Sequence, residues 1–357
     1  MSQTGGMPPL RRFVIPALFV AGLFAIIVLR RDPATTPTRE LKLTGPTMGT
    51  TFTVKVVTDE STDGIRASLE RDVRRVLDDV DETMSTYRPE SEIEAFNRGG
   101  TEPFEASPGF LEVVTEAQRV SRLTGGAFDI TVGALVDVWG FGPPGAADAP
   151  SEEELQKLVA VTGYEQLEVD VEAGTLRKAR TDCHIDLSAI AKGYAADRVS
   201  AALVQQELPD HMVEVGGEVR ARGRNGSGQA WQIGIERPST DGRALHSVVP
   251  LSNLSLATSG DYRNYYERDG VRISHTIDPR TGWPITHNLA SVSVISPSCM
   301  TADALATGLG VLGPEQGFDL AERQDIPALF LIRVRDGVFE ERHTRVWAAL
   351  TENVPGS

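Results

Sequence analysis

Residues 300–310, MTADALATGLG, place a carboxylate and a hydroxyl in a setting that favours a metal site. The apolar segment before them, residues 289–300, alternates and then breaks at Pro297, which predicts a strand, a turn and then a helix. On a helix, Asp303 and Thr307 are four residues apart and share one face. Their alanine and glycine neighbours are too small to shield them. The pair therefore predicts half of an oxygen site for a hard cation.

Four further segments combine polar and small residues at predicted chain reversals. They are STYRPESEI (85–93), GGAFDITVGALVDVWGFG (125–142), HIDLSAIAKGYAADR (184–198) and HTIDPRTGWP (275–284). Each has an ordinary explanation in isolation: a helix cap, a helix stop, a solvated lysine or a turn. Taken alone, Asp303 and Thr307 would equally fit a satisfied helix terminus. Together the segments favour a phosphate-rich ligand with a divalent cation, because backbone must approach a diphosphate closely and cations must neutralise it.

The charge balance argues against nucleic acid as a partner. The 357 residues carry a net charge of −15, and the acid-free first 31 residues contain four arginines, so the remainder is more acidic still. Binding a phosphate backbone needs a basic surface. A hydrophobic content of 40% is ample for the core of one large domain or two.

Residues 13–29, FVIPALFVAGLFAIIVL, are uncharged and almost wholly apolar, with an arginine pair on each side. Such a segment is at the short end of what spans a bilayer. We expect a transmembrane signal anchor over residues 1–31, a linker over 32–44 and one domain over 45–357. No Ala-x-Ala-like site follows, which favours retention over cleavage. The body is expected on the periplasmic side of the inner membrane, because exported domains begin with such a segment.

The elements that position these segments are predicted from periodicity and capping. A strand is expected over residues 51–57, then a helix with an apolar stripe from Ile65 to Met84. Ser107 caps a second helix, and Ser151 starts another through a capping box with Glu154. Strand-like runs follow at CHIDL, HMVEV, EVRARG, WQIGIE, SVVPL, RISHTID, LASVSVI and PALFLIRV. Closely spaced runs joined by turns predict an α+β fold with a largely antiparallel sheet.

An ordered set of motifs resembles the ApbE family, the FAD:protein FMN transferases. The motifs are GPTMGTTFTV, STYRPESEI, GGAFDITVG, DLSAIAKGYAAD, VEVGGEVRARG, ATSGDYRNYY, HTIDPRTGWP and TADALATGLGVLG, spread over roughly residues 45–313. The resemblance implies a T-fold-like α+β domain. It also implies magnesium-dependent cleavage of the FAD pyrophosphate, with FMN passed through a phosphoester bond to a threonine or serine of an acceptor flavoprotein and AMP released.

The resemblance also implies a set of site residues. Its flavin contacts fall on Met48, Tyr87, Ala127, Phe128, Asp129, Asp186, Lys192 and Ile277. Its metal ligands fall on the backbone oxygen of Ala189 and the side chains of Asp303 and Thr307, with the carbonyl of Ala306 as a further candidate. Magnesium takes six oxygens and keeps substrate phosphates and water among them, so this protein contribution is sufficient.

The implied reaction assigns roles to three more side chains. Lys192 would gather charge on the diphosphate together with the metal. His275 is the candidate base for the acceptor hydroxyl, because an imidazole titrates near neutrality, and Asp278 is the candidate to orient it. The alternative is a His275 that only orders its turn.

Two other functions remain open at this point. A pyrophosphatase that cuts FAD to FMN and AMP would use the same site, and a non-catalytic flavin-binding electron-transfer module would use the same pocket. The sequence has no Asp-x-x-Ser/Thr-Gly/Ala-x-Ser/Thr acceptor pattern, which favours a donor enzyme acting on an exported acceptor.

Cys183 and Cys299 each precede a metal-bearing segment. They either form a disulfide that ties the two segments together or are two buried thiols.

Overall fold

The structure is a computed structural model that describes residues 39–59, 62–143, 145, 149–238, 244–260, 265–268, 271–335 and 337–351. The predicted signal anchor over residues 1–31 lies outside the described residues. Among the residues described, none of the helices has the length and apolar character needed to cross a membrane.

An eight-stranded antiparallel sheet lies at the centre of the fold, as the closely spaced strand runs predict. Its strand order is β1-β2-β6-β7-β10-β13-β14-β15. The bounds are β1 (Arg39–Thr47), β2 (Thr50–Thr58), β6 (His211–Val215), β7 (Glu218–Arg222), β10 (Ser255–Gly260), β13 (Leu289–Ser296), β14 (Ala328–Arg335) and β15 (Val338–His343).

Besides the central sheet, the described residues form three small sheets. They contain β3 (Phe104–Glu105) with β4 (Leu167–Asp170) and β5 (Thr175–Lys178), β8 (Trp231–Arg237) with β9 (Ala244–Leu251), and β11 (Tyr265–Arg268) with β12 (Val271–Ser274).

The described helices begin and end near the predicted caps. They are α1 (Thr62–Met84), α2 (Glu92–Arg98), α3 (Pro108–Thr124), α4 (Gly133–Val138), α5 (Glu152–Val159), α6 (Ala191–Gln205), α7 (Cys299–Arg323) and α8 (Arg345–Thr351). Ser107 accepts a hydrogen bond from Phe110 N at the start of α3, and Ser151 does the same from Glu154 N at α5. Both caps match their sequence signals.

The central sheet is covered on both faces because its strands alternate. In β6, Val213 and Val215 join a large core formed with α1, α3, α6 and α7, while Met212 joins a second cluster on the other face. The second cluster includes Trp231 from the β8–β9 hairpin and Trp347 from α8. Helices α1, α3, α6 and α7 therefore lie on the same side of the sheet; α7 carries Asp303 and Thr307, and Ala189 lies in the turn that leads into α6.

The first hairpin begins earlier than the sequence analysis expects. Strand β1 starts at Arg39, inside the predicted linker over 32–44, and its Leu41 and Leu43 are buried. Residues 39–44 therefore belong to the sheet. The two-residue turn to β2 places Met48 at φ 47° and Gly49 at φ 69°, a left-handed pair that suits the twist of a tight hairpin. Such a backbone is unusual for methionine and marks a position held by its surroundings.

The run CHIDL, predicted as a strand, is an extended segment with one isolated bridge, between Val132 and His184. On its other side the Asn97 side chain occupies the place of a neighbouring strand. Its amide nitrogen donates to Ile185 O at 3.0 Å and its oxygen accepts from Ile185 N at 2.9 Å. The sequence alternates as in a strand, but the Asn97 side chain supplies the hydrogen-bond partners that the backbone of a neighbouring strand would provide.

Two further strand predictions are corrected at their ends. RISHTID is a strand only up to Ser274, where β12 ends and the polar turn begins. The strand predicted at LASVSVI extends to Ser296, and Cys299 is the first residue of α7, since Ser298 caps the helix there.

Lys178 is a fully buried lysine that anchors the segment leading to the site. Its ammonium donates to the carbonyl oxygens of Asn97 at 2.7 Å, Thr181 at 3.2 Å and Cys183 at 3.2 Å. Burial lowers the pKa of this ammonium. The ammonium thereby supplies a donor to three carbonyl oxygens, of which that of Cys183 is buried.

Replacing Lys178 with methionine is therefore expected to destabilise the fold by about 1–3 kcal/mol, because the carbonyls lose their donor. Urea unfolding of the purified protein measures the change. Lys157→Met is the matched control, since Lys157 forms only an exposed pair with Glu153 that contributes little. Equal unfolding midpoints for the two variants would contradict the anchoring role.

Candidate active site

Two helices, α6 and α3, hold the first turn of α7 and so set the position of Asp303. Asp197 of α6 accepts from Ser298 Oγ at 2.9 Å and from Met300 N at 3.0 Å through one carboxylate oxygen. The Thr301 hydroxyl donates to Glu116 Oε1 of α3 at 2.6 Å. The helix start is thus fixed by charge-assisted hydrogen bonds from two neighbouring helices.

Helices α6 and α7 touch at Gly193. Its backbone N–H donates to Asp303 Oδ2 at 3.0 Å. A Cβ at this position would lie 2.7 Å from the Cys299 carbonyl carbon and 2.9 Å from Asp303 Cβ. Only glycine allows the α6 backbone to come this close. The contact joins DLSAIAKGYAAD to TADALATGLGVLG, two motifs that the sequence analysis assigns to one metal site.

Lys192 lies between two acids at this contact. Its Nζ is 3.7 Å from Asp303 Oδ2 and 3.4 Å from Glu218 Oε1, and it donates to Ser188 O at 3.2 Å. Burial lowers the pKa of the ammonium, but Asp303 and Glu218 outweigh that effect and raise it. Lys192 is therefore held as a cation.

Glu218 was not singled out by the sequence analysis. It begins β7, directly after the Gly216-Gly217 turn, and is 4% exposed. Burial raises its pKa to about 8 and also raises the pKa of Asp303. In the run EVRAR, Glu218 alternates onto the same face as Arg220 and Arg222, so the pattern predicts an exposed acid and gave no signal for its burial.

The donor set around Asp303 fits a magnesium ion. Asp303 and Thr307 share one face of α7, and Ala189 lies in the turn that leads into α6, one helical turn before Gly193. All of these donors are oxygens, which Mg²⁺ prefers. Among the described residues, no group of three or more His, Cys, Asp or Glu side chains could hold a metal ion. A single carboxylate supported by a hydroxyl and carbonyls leaves coordination positions for phosphates and water.

Tyr87, His275 and Asp186 lie on a second part of the site, around Phe141. The Tyr87 hydroxyl donates to Phe141 O at 3.2 Å, while its ring is 67% exposed. The His275 ring meets the Phe141 ring edge-on at a centroid distance of 6.3 Å. The pKa of the Tyr87 hydroxyl is raised by burial and then by the negative charges of Asp186 and Asp137. The structure thus places Tyr87, the predicted flavin contact, and His275, the predicted base, beside Phe141. We call this part of the site its rim.

The segment Ala127-Phe128-Asp129 is buried, and the carboxylate of Asp129 is used within the protein. Its Oδ1 accepts from the backbone and hydroxyl of Thr131 at 2.9 and 2.7 Å, and its Oδ2 accepts from Tyr164 N at 2.6 Å. Burial raises the pKa of this carboxyl. Asp129 therefore fastens the loop, and its predicted contact with a flavin stays a prediction.

Asp278 and Ile277 organise the polar turn after His275. Both carboxylate oxygens of Asp278 accept from Arg280, at 2.9 and 2.8 Å, and the backbone N–H of Gly282 donates to Asp278 O. Ile277 bridges to Pro284 and is buried. Asp278 is thereby committed to the turn, so the prediction that it orients His275 gains no support from its contacts.

Cys183 and Cys299 are both free, buried thiols. Burial raises the pKa of Cys183 to about 11. The structure therefore contradicts the disulfide alternative and agrees with two buried thiols. Neither cysteine lies in a strand, and the two segments are joined instead through Gly193 and Asp303.

Comparison with known proteins agrees with this geometry. The sequence profile of the ApbE family matches residues 48–330, which include the Gly193–Asp303 contact, Lys192 and His275. The chain belongs to the ApbE family. The FAD:protein FMN transferase of Vibrio cholerae serotype O1 is 46% identical over 85% of this chain and 91% of its own length. That of Haemophilus influenzae is 40% identical over 93% and 98%.

Solved ApbE structures have the same fold. The flavin transferase ApbE from Vibrio cholerae superposes with a TM-score of 0.79 at 42% identity, covering 88% of this chain and 100% of that one. The apo form of the Pseudomonas stutzeri flavinyl transferase ApbE gives 0.80 at 40% identity, covering 88% and 97%. The mixed helix and sheet architecture with its largely antiparallel sheet is therefore the ApbE fold.

Gly193→Ala tests the helix contact. The added methyl must push α7 away from α6, so we expect a loss of about 1–3 kcal/mol of stability together with weaker magnesium binding by calorimetry. Gly64→Ala in α1 is the control, because a Cβ there meets nothing within 4 Å and alanine favours a helix. A Gly193→Ala protein with the stability and metal affinity of the Gly64→Ala protein would show that the contact is dispensable.

Proposed function

We propose that this protein transfers FMN from FAD to a threonine or serine of an acceptor flavoprotein in a magnesium-dependent reaction that forms a phosphoester bond and releases AMP. Flavin transfer follows from membership of the ApbE family and from relatives that are FAD:protein FMN transferases at 40–46% identity. The metal, the linkage and the leaving group are what the proposal adds.

The observation that carries the proposal is the arrangement of Asp303 against Gly193 and Lys192. One carboxylate and one lysine ammonium lie side by side, 3.7 Å apart, at the junction of two helices. A diphosphate needs a metal ion and a fixed cation together, since both neutralise charge on the phosphate oxygens. Asp303, Thr307 and the carbonyl of Ala189 would hold the ion, which when bound supplies Lewis-acid stabilisation of the diphosphate.

Lys192 is suited to bind and orient the diphosphate. Its ammonium is kept charged by Asp303 and Glu218, and its side chain is 26% exposed, so it can approach substrate without leaving its partners. A cation fixed before the substrate arrives needs no reorganisation as negative charge develops on the departing AMP. The lysine thus acts through position and charge.

His275 is the group proposed to take the proton of the acceptor hydroxyl. It is half-buried at the rim that also carries Tyr87, next to the turn held by Asp278. An imidazole exchanges protons near neutral pH and suits this step. With the proton removed, the hydroxyl oxygen can attack the FMN phosphorus while the bond to AMP breaks.

Asp303→Asn tests the metal assignment. The substitution keeps the side-chain shape but removes the charge, so we expect FMN transfer to fall by about 100-fold or more. FAD binding, measured by fluorescence quenching, should be retained. Thr307→Val should be milder, because it deletes a neutral oxygen. Unchanged transfer by Asp303→Asn in saturating magnesium would contradict the assignment.

His275→Asn tests the base. We expect FMN transfer to slow by roughly 100-fold with FAD affinity unchanged, because the acceptor hydroxyl loses its base. Mass spectrometry of the acceptor and chromatography of FMN and AMP separate the possible outcomes. A wild-type rate in the variant would reduce His275 to a structural role. Free FMN at the expense of flavinylated acceptor in wild type would favour the pyrophosphatase.

A further inference from the structure

Glu218 is a buried acid with one oxygen that has no partner. Its Oε1 is 3.4 Å from Lys192 Nζ, whereas its Oε2 is buried and makes no hydrogen bond within the described part of the chain. A buried carboxylate oxygen without a donor is costly. An atom of this kind at a candidate metal site indicates a place kept for a ligand.

The surrounding backbone holds Glu218 in this position. Val215 and Glu218 are directly paired across the β6–β7 hairpin. The turn between them has Gly216 at φ 63° and Gly217 at φ 108°, conformations that favour glycine. A Cβ on Gly216 would lie 3.0 Å from Lys192 Cδ and 3.5 Å from Glu218 Oε2. The turn therefore packs against both side chains.

The oxygens around Lys192 outnumber the donors that it offers. Two carboxyl groups, those of Glu218 and Asp303, lie within 3.7 Å of one ammonium. Lys192 also donates to Ser188 O, so its remaining donors cannot satisfy all of these carboxyl oxygens, and the oxygens left over can face a further cation. The ligand atoms are carboxylate oxygens, so the cation they favour is a hard divalent ion that keeps part of its water shell.

We propose that Glu218 is a positioning residue of the metal centre, whose Oε2 accepts a hydrogen bond from a water of the divalent cation bound by Asp303, while its Oε1 holds Lys192. This inference rests on the proposed magnesium-dependent function. It adds a protein group that orients the hydrated ion without coordinating it directly. Glu218 would then serve the cation and the lysine at once, with one oxygen for each.

A purely structural Glu218 would make a different contribution. If the carboxylate only held Lys192, its removal would change the lysine and the stability of the fold but leave affinity for the free metal ion unchanged. Metal affinity measured without FAD therefore separates the two roles. It does not depend on turnover.

The experiment titrates the full-length protein with Mn²⁺ as the probe and follows free Mn²⁺ by electron paramagnetic resonance. We expect Glu218→Gln, which keeps the side-chain shape, to weaken Mn²⁺ binding by about 10–100-fold. The matched control is Glu214→Gln in the same hairpin, because its carboxylate accepts only from the turn, at Gly217 N. The control should bind Mn²⁺ as the wild type does.

Wild-type Mn²⁺ affinity in Glu218→Gln would overturn the inference and leave the proposed metal site standing. No Mn²⁺ binding by the wild type would overturn the metal site and this inference with it. Thermal unfolding monitors the fold of each variant. If Glu218→Gln does not fold, Glu218→Asp is titrated instead, since it keeps the charge but withdraws the oxygen by one methylene. Unchanged affinity in that variant would overturn the inference as well.

Discussion

The close contact of Gly193 with Asp303 is the constraint on which the candidate site depends. The N–H of Gly193 satisfies one oxygen of a buried carboxylate, which would otherwise be left without a donor at high cost. The same contact brings Lys192, the neighbour of Gly193 in α6, beside the acid. The proposed metal ligand and the proposed phosphate-binding cation therefore come from one helix crossing. A larger side chain at position 193 would push the two helices apart and so move Lys192 away from Asp303.

Polar side chains hold the other segments of the site in place near this helix crossing. Lys178 and Asn97 hold the irregular segment that contains Asp186 and leads to Ala189. Asp197 and Glu116 fix the first turn of α7. These groups replace the regular hydrogen bonds that a strand or a longer helix would provide. The segment can therefore expose backbone oxygens to a ligand while its ends stay fixed.

Local patterns predicted the parts of the structure that depend on neighbours in sequence. Pro297 and the apolar period before it gave the strand and the start of α7, and so the shared face of Asp303 and Thr307. The caps at Ser107 and Ser151 were likewise readable. The order of the strands in the sheet was not, because it is set by contacts between distant segments.

The misses share one physical cause, which is a partner distant in sequence. CHIDL alternates like a strand, but Asn97 replaces the neighbouring strand on one side. A lysine is ordinarily expected at a solvated position, and Lys178 is buried only because three carbonyl oxygens converge on its ammonium. Glu218 looked like one of many acids until Lys192 was placed beside it. Family resemblance supplied the site residues, whereas the contacts that position them required the structure.

The most direct test of this account is a crystal structure of the protein with FAD and Mn²⁺ in place of Mg²⁺, in which anomalous scattering locates the metal. The account predicts one Mn²⁺ within about 2.3 Å of the Asp303 carboxylate, with Thr307 and the carbonyl of Ala189 as further ligands and the diphosphate between the ion and Lys192. Manganese bound away from Asp303, or a diphosphate that does not approach Lys192, would contradict it.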